Sequence, residues 1–320
     1  MWVRVLALVI ALFALGSEPT TAQVWPTRPI TLVHGFAAGG NADSISRVMA
    51  TAIGAALGQN VVVEAKPGAG GNLASEGVAN ATPDGYTIVL LTGGHAVSAA
   101  LYSRLKFDPV AGFAFVSRIA TFPFVVATRA DSPIKSMADL VDAARREPGK
   151  LTFSSVGFGS TQHLMGELLA VTAGVKLTHV PYRGGLQPLT DLMSGRIDLM
   201  VDTITVTGTA IRGGTVRGLG VSSALPWPAL PEVSPIATTL PGFDVRSWIG
   251  IAAPAGTPPE VVEKLNASIR RAVEDRSTRE KLETLGIAPE ATSPEDMRTF
   301  VSAEIKRWQD VVAKAGLEKQ

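Results

Sequence analysis

No cysteine occurs in the 320 residues, so the chain forms no disulfide and carries no lipid on a mature N-terminal cysteine. An excess of either charge is missing too: 29 basic and 28 acidic side chains leave a formal net charge of +1. They form no basic block, no aromatic-basic interleaving and no acidic tail, which removes the electrostatic case for nucleic acid or a membrane surface as partner. The four histidines, His34, His95, His163 and His179, show no His-Glu-x-x-His or comparable spacing, so no metal is expected. A Gly-x-x-x-x-Gly-Lys-Ser/Thr loop is absent, neither 67–73 nor 157–162 completes Gly-x-Gly-x-x-Gly, and no cofactor is expected. Gly-x-Ser-x-Gly is missing as well, which leaves a hydrolase built on Ser160 and His163 as a distant alternative.

What is present begins with an export signal. Arg4 lies in a short first region, an apolar run from Val5 to Leu15 follows, and small or polar residues lead to Thr20-Thr21-Ala22. That run is too short to span a bilayer, so residues 1–22 read as a signal peptide cleaved after Ala22. No later stretch approaches a membrane span, and the expectation is a soluble bacterial periplasmic protein. The mature chain is long enough for two domains held by core burial alone.

Strands and helices alternate along it. Pro29 to Val33 reads as a strand. In the helix from about Ser44 to Leu57, Ile45, Val48, Met49, Ile53 and Leu57 share a face before the stop at Gly58. Val61 to Glu64 and Tyr86 to Leu91 read as further strands. A second set follows Phe122-Pro123-Phe124-Val125-Val126, with strands at 151–154, 176–180, 198–201 and 216–221 and helices at 136–145, 160–172 and 186–194. A proline-rich connection, 225–242, returns to a strand at 248–252. Thr257-Pro258-Pro259-Glu260 and Ser293-Pro294-Glu295-Asp296 then read as helix starts of the capping-box type. This pattern predicts an α/β fold whose sheets are mostly parallel and flanked by helices. Residues 23–125 with 246–320 form lobe 1, residues 126–245 form lobe 2, and a cleft lies between them.

Glycine loops recur where strands give way to helices: Phe36-Ala37-Ala38-Gly39-Gly40, Pro67-Gly68-Ala69-Gly70-Gly71-Asn72, Ser154-Ser155-Val156-Gly157-Phe158-Gly159-Ser160-Thr161 and Pro181-Tyr182-Arg183-Gly184-Gly185. A helix N-terminus presents unpaired N–H groups and about half a positive charge, so such loops can grip a carboxylate or phosphate with backbone amides. Charge-assisted bonds of roughly 1.5 to 3 kcal/mol each make one carboxylate alone a weak anchor. The ligand is therefore expected to carry a second polar group or a ring.

Several motifs, in order, resemble one family: Trp25-Pro26-Thr27-Arg28-Pro29-Ile30, Phe36-x-x-Gly39-Gly40-x-x-Asp43, Glu64-x-Lys66-Pro67-Gly68-Ala69-Gly70-Gly71, Pro83-Asp84-Gly85-Tyr86-Thr87, Gly157-x-Gly159-Ser160-x-x-His163-Leu164, Val180-Pro181-Tyr182-Arg183-Gly184 and Ala253-Pro254-Ala255-Gly256-Thr257-Pro258. From about Trp25 to the C-terminus the chain is similar to the substrate-binding proteins of tripartite tricarboxylate transporters, the Bug family. That resemblance implies a type II-like, two-lobed periplasmic binding protein. It would capture a small organic carboxylate between its lobes and deliver it, as a monomer, to the permease subunits of a membrane transporter; a sensor subunit reporting to a membrane kinase is the alternative. His34-Gly35 departs from the usual apolar residue and Pro, and Ala65 from the usual Asn.

The expected ligand-binding set is Phe36, Ala38, Gly39, Gly40, Asp43, Ala69, Gly70, Gly71, Asn72, Thr92, Ser154, Gly159, Ser160, Thr161, His163, Tyr182 and Asp202, with no catalytic residue. For several of these a structural role competes. Asp43 and Ser160 suit helix capping, and Asp202 is either a buried cap or a group that accepts from, or repels, part of the ligand.

Overall fold

In the computed structural model residues 25–314 and 316–319 are described; the export signal and the cleavage point after Ala22 lie outside the described residues. The first half opens with strand β1 (Ile30–His34), helix α1 (Asn41–Leu57) and strand β2 (Val61–Ala65). Helix α2 (Asn72–Ala79), strand β3 (Thr87–Thr92) and helix α3 (Gly94–Leu101) follow. Helix α1 starts three residues before the expected Ser44. It buries Ile45, Met49 and Ile53 and ends at Gly58, whose φ of 67° is the left-handed cap that favours glycine.

Strand β4 (Phe113–Arg129) then runs the length of the molecule. Beyond it come α4 (Met137–Arg146), β5 (Thr152–Ser155), α5 (Thr161–Ala173), β6 (Thr178–Pro181), α6 (Gln187–Met193), β7 (Leu199–Thr203), α7 (Ile204–Arg212) and β8 (Val216–Val221). The chain returns through β9 (Arg246–Pro254) and finishes with α8 (Pro259–Glu274), α9 (Arg276–Thr284), β10 (Ala288–Pro289) and α10 (Pro294–Lys314).

The strand order is β2-β1-β3-β9-β4-β7-β5-β6, with β8 and β10 also paired to β4. Within each set the strands are parallel, β1 with β2 and β3, and β5 with β6 and β7, as crossovers through helices produce. The strands that join the sets are antiparallel. β4 pairs with β9 up to Pro123 and with β7 and β8 from Phe124 onward, so one strand belongs to both halves of the sheet. Ser222 fastens this changeover. Its Oγ accepts from the Phe124 N–H at 2.8 Å and donates to the Val245 carbonyl at 2.5 Å, tying together both segments that cross.

The large core contains Trp248, Trp308, Phe113 and Phe124, all at most 1% exposed. A separate cluster under the second half includes Val125, Met200 and Val221. Among the described residues no helix is long and apolar enough to cross a membrane, and no cluster of His, Asp or Glu could hold a metal. Of the two helix starts, Ser293 caps α10 by accepting from the Asp296 N–H, whereas Thr257 turns away to donate to the Pro254 carbonyl and leaves α8 without a side-chain cap. Proline at the start of α8 makes that cap dispensable, because its ring presets φ and removes an orphan donor.

Candidate functional site

Where the two halves of the sheet meet, a cavity of about 30 Å³ opens between the loops that follow the strands. Its apolar lining comes from Phe36, Phe122, Phe124, Val156 and Val206. Polar groups line it as well. Thr92 and Ser247 come from the first half, and Thr161, Gln162 and Asp202 from the second. Thr161 Oγ1 and Ser247 Oγ lie 3.4 Å apart, a hydroxyl pair contributed from both sides.

Two helix N-termini meet this space. Asn41 and Ala42 open α1, which has no side-chain cap, and Thr161 and Gln162 open α5. The first amides of a helix have no partner within it, so both ends offer donors and positive potential to an anion. Among the described residues no Lys, Arg or His lines the cavity. An anion placed here would meet dipoles and hydroxyls.

Phe36, Gly40, Thr92, Thr161 and Asp202 of the expected set line this cavity. A smaller one of about 10 Å³ is lined by Gly70, Gly71 and Asn72 together with Phe36 and Thr92. The remaining expected residues line neither. Ala38, Gly39 and Ala69 are exposed. Ser154 is buried away from both spaces, Ser160 caps α5 by accepting from the His163 N–H at 3.2 Å, and Tyr182 donates to Asp191 Oδ2 at 2.8 Å. His163 turns its ring onto His179, with centroids 4.2 Å apart, and its Nε2 lies 3.8 Å from Glu167 Oε1. Ser160 therefore meets the His163 backbone, and no Ser160-His163 side-chain pair forms.

Several of the glycines also have a packing use. A Cβ on Gly70 would lie 2.5 Å from the Phe158 carbonyl oxygen, and one on Gly159 would lie 2.7 Å from the Tyr102 ring. A Cβ on Gly185 would lie 2.9 Å from the Ala38 carbonyl oxygen. The Ala37 N–H donates to the Arg183 carbonyl at 2.9 Å. These glycines let loops of opposite halves interlock across the mouth of the cleft, and neither Gly70 nor Gly159 lines the main cavity.

Two buried carboxylates flank the cleft. Asp43, in the first turn of α1, accepts from the Gly39 N–H at 3.0 Å and from Arg47 Nε at 3.1 Å, with His34 Nε2 3.3 Å away. Burial alone would raise its pKa, but the bonds from Arg47 and Gly39 outweigh burial and hold it below the usual carboxylate range. Asp202 lies one residue before the end of β7, at 3% exposure. Its Oδ1 accepts from the Thr203 N–H at 2.7 Å, and burial without a cation lifts its pKa to about 6. Burial likewise lowers His163 to about 3, with the charge of His179 adding to the effect, and lowers His179 to about 4.

Sequence reading missed Phe122, Phe124, Gln162, Val206 and Ser247. Two of these carried a signal: Phe122 and Phe124 alternate on one strand and so share a face.

Over residues 45–317 the chain matches the tripartite tricarboxylate transporter family receptor. A UPF0065 protein from the tcbD-tcbE intergenic region of Pseudomonas sp. strain P51 is 40% identical over 314 residues, covering 97% of this chain and 94% of that protein. Among solved structures, the periplasmic binding protein BugD superposes with a TM-score of 0.89 at 33% identity, covering 92% of this chain and all of that one. The R. palustris protein Rpa4515 with adipate gives 0.89 at 36% identity with the same coverage.

Proposed function

The chain belongs to the tripartite tricarboxylate transporter receptor family, a family of periplasmic solute-binding proteins, and from that premise we propose that it captures a small organic carboxylate in the cavity between its halves and hands it to membrane permease subunits. The observation that carries this reading is the pair of helix N-termini, of α1 and α5, that meet one cavity from opposite sides with no cation among the lining residues. A carboxylate placed there bridges residues 23–125 and 246–320 on one side and residues 126–245 on the other. The apolar lining receives the ligand's carbon skeleton, and the adipate in Rpa4515 is a ligand of that chemistry. Capture closes the lobes by rotation near Phe124 and Val245, where Ser222 ties the crossing segments. Interlocked loops such as Ala37 against Arg183 then hold the closed form.

A thermal-shift panel of aliphatic di- and tricarboxylates, aromatic acids, sugars, cations and nucleotides tests the ligand class. A carboxylate at 100 times its Kd adds about 2.7 kcal/mol of stability. Stabilisation by sugars, cations or nucleotides alone would overturn the reading. Co-purification with the permease subunits tests the hand-over.

A further inference from the structure

Among the described residues lining the cavity Asp202 is the only ionisable one, and none is cationic. On the neighbouring β4 its partner is Val125; α5 supplies Gln162, and the next residue of its own strand, Thr203, supplies an amide. Across the cavity α1 supplies Asn41 and Ala42. The charged groups nearest in sequence to those contacts are engaged elsewhere: Asp43 with Arg47 and His34, and His163 with His179 and Glu167. A ligand carboxylate and an ionised Asp202 would then share one enclosed space with only dipoles between them. Like charges in such a space cannot both persist without cost, and the cheapest relief is a proton on one of them.

We propose that the protein takes up a proton from solvent when it binds its carboxylate, and that Asp202 is the residue that holds it. The inference rests on the carboxylate-receptor reading above and adds a coupling to it. Protonation at Oδ2 leaves the Thr203 bond to Oδ1 intact and turns a repelling oxygen into a hydrogen-bond donor, the use made elsewhere of buried neutral carboxylic acids. In the free protein burial already lifts this carboxyl to about 6, so the ligand has only to complete a shift that the fold has begun. Above that value each bound carboxylate draws in a proton, and affinity strengthens about tenfold for each pH unit of acidification until the free protein is itself protonated.

The test is calorimetric titration of the full mature chain with adipate, succinate and benzoate at pH 7.5, in phosphate and in Tris. The dependence of the observed heat on buffer ionisation counts the protons. Expected is an uptake approaching one proton per bound probe for the wild type, and near zero for Asp202→Asn, whose amide donates without titrating. At pH 8 that variant should bind more tightly than the wild type. Full binding with no proton uptake, or the same uptake in Asp202→Asn, overturns the coupling and leaves the receptor intact. Failure of all three probes to bind a folded protein counts against the receptor reading itself. Should the variant fail to fold, the wild-type proton count and its pH dependence decide alone.

Discussion

Asp43 and Asp202 are equally hidden, at 5% and 3% exposure, and both lie where a strand of a parallel set gives way to a helix beside the cleft. Their surroundings differ in one respect. Asp43 has a guanidinium, a backbone amide and an imidazole around it, and so closes a local network that orders the loop from Phe36 to Gly40. Asp202 has only neutral donors and lines the cavity. Burial does not distinguish a structural carboxylate from a working one; pairing does. A carboxylate left unpaired at such cost marks a position where a ligand or a proton is expected to complete it.

The largest effect should come from breaking the paired side. Asp43→Ala leaves the Gly39 amide and the buried His34 ring without their acceptor, and should cost about 3 kcal/mol in urea unfolding. Acidification comes next. Burial lowers His95 to about 4 against an ordinary 6.5, so the unfolded chain takes up the proton first and stability falls as pH drops below 6.5. From pH 7 to pH 5 that histidine alone should cost about 2 kcal/mol. Across the same range Asp202 acts in the opposite direction, because its folded value of about 6 exceeds the unfolded 3.8 and ionising it burdens the fold as pH rises. The difference between wild type and Asp202→Asn, read at each pH, isolates that term.

Gly70→Val should weaken ligand affinity at least about tenfold, roughly 1.4 kcal/mol. Its Cβ would meet the Phe158 carbonyl of the opposite half, and its φ of +63° disfavours a β-branched residue. The smallest effect sharpens the contrast. Asp202→Asn should stabilise the free protein at pH 8 by about 1 kcal/mol, less than the full pKa shift implies because Asn buries an amide of its own. Equal destabilisation by Asp43→Ala and Asp202→Asn would erase the distinction between the two carboxylates.

Much of the fold was legible from local signals. The apolar face of α1 with its stop at Gly58, the strand-helix alternation and the serine cap of α10 all depend on residues close in sequence. So did part of the site, since Gly40 and Thr161 sit at helix starts that any strand-to-helix glycine loop announces. Ser247 was not legible in this way. It lies opposite Phe122 across β9 and β4, far apart in the chain, and which face it shows depends on how the long strand crosses between halves. Gly70 and Gly159 were visible as glycines, but their purpose is set by loops more than fifty positions away, and sequence offers no measure of that approach. Tyr182 looked like a ligand contact until its hydroxyl found Asp191, a bond that depends on the path from β6 into α6.

The measurement that tests the account most directly is a crystal structure with the carboxylate that gives the largest thermal shift. The account predicts its carboxylate inside the cavity, about 3 Å from amides or hydroxyls of both halves, Thr161 and Ser247 among them, with its carbon skeleton against Phe36, Phe122 and Phe124. A ligand held instead by Arg183, or by the exposed Arg47 outside the cavity, would contradict it.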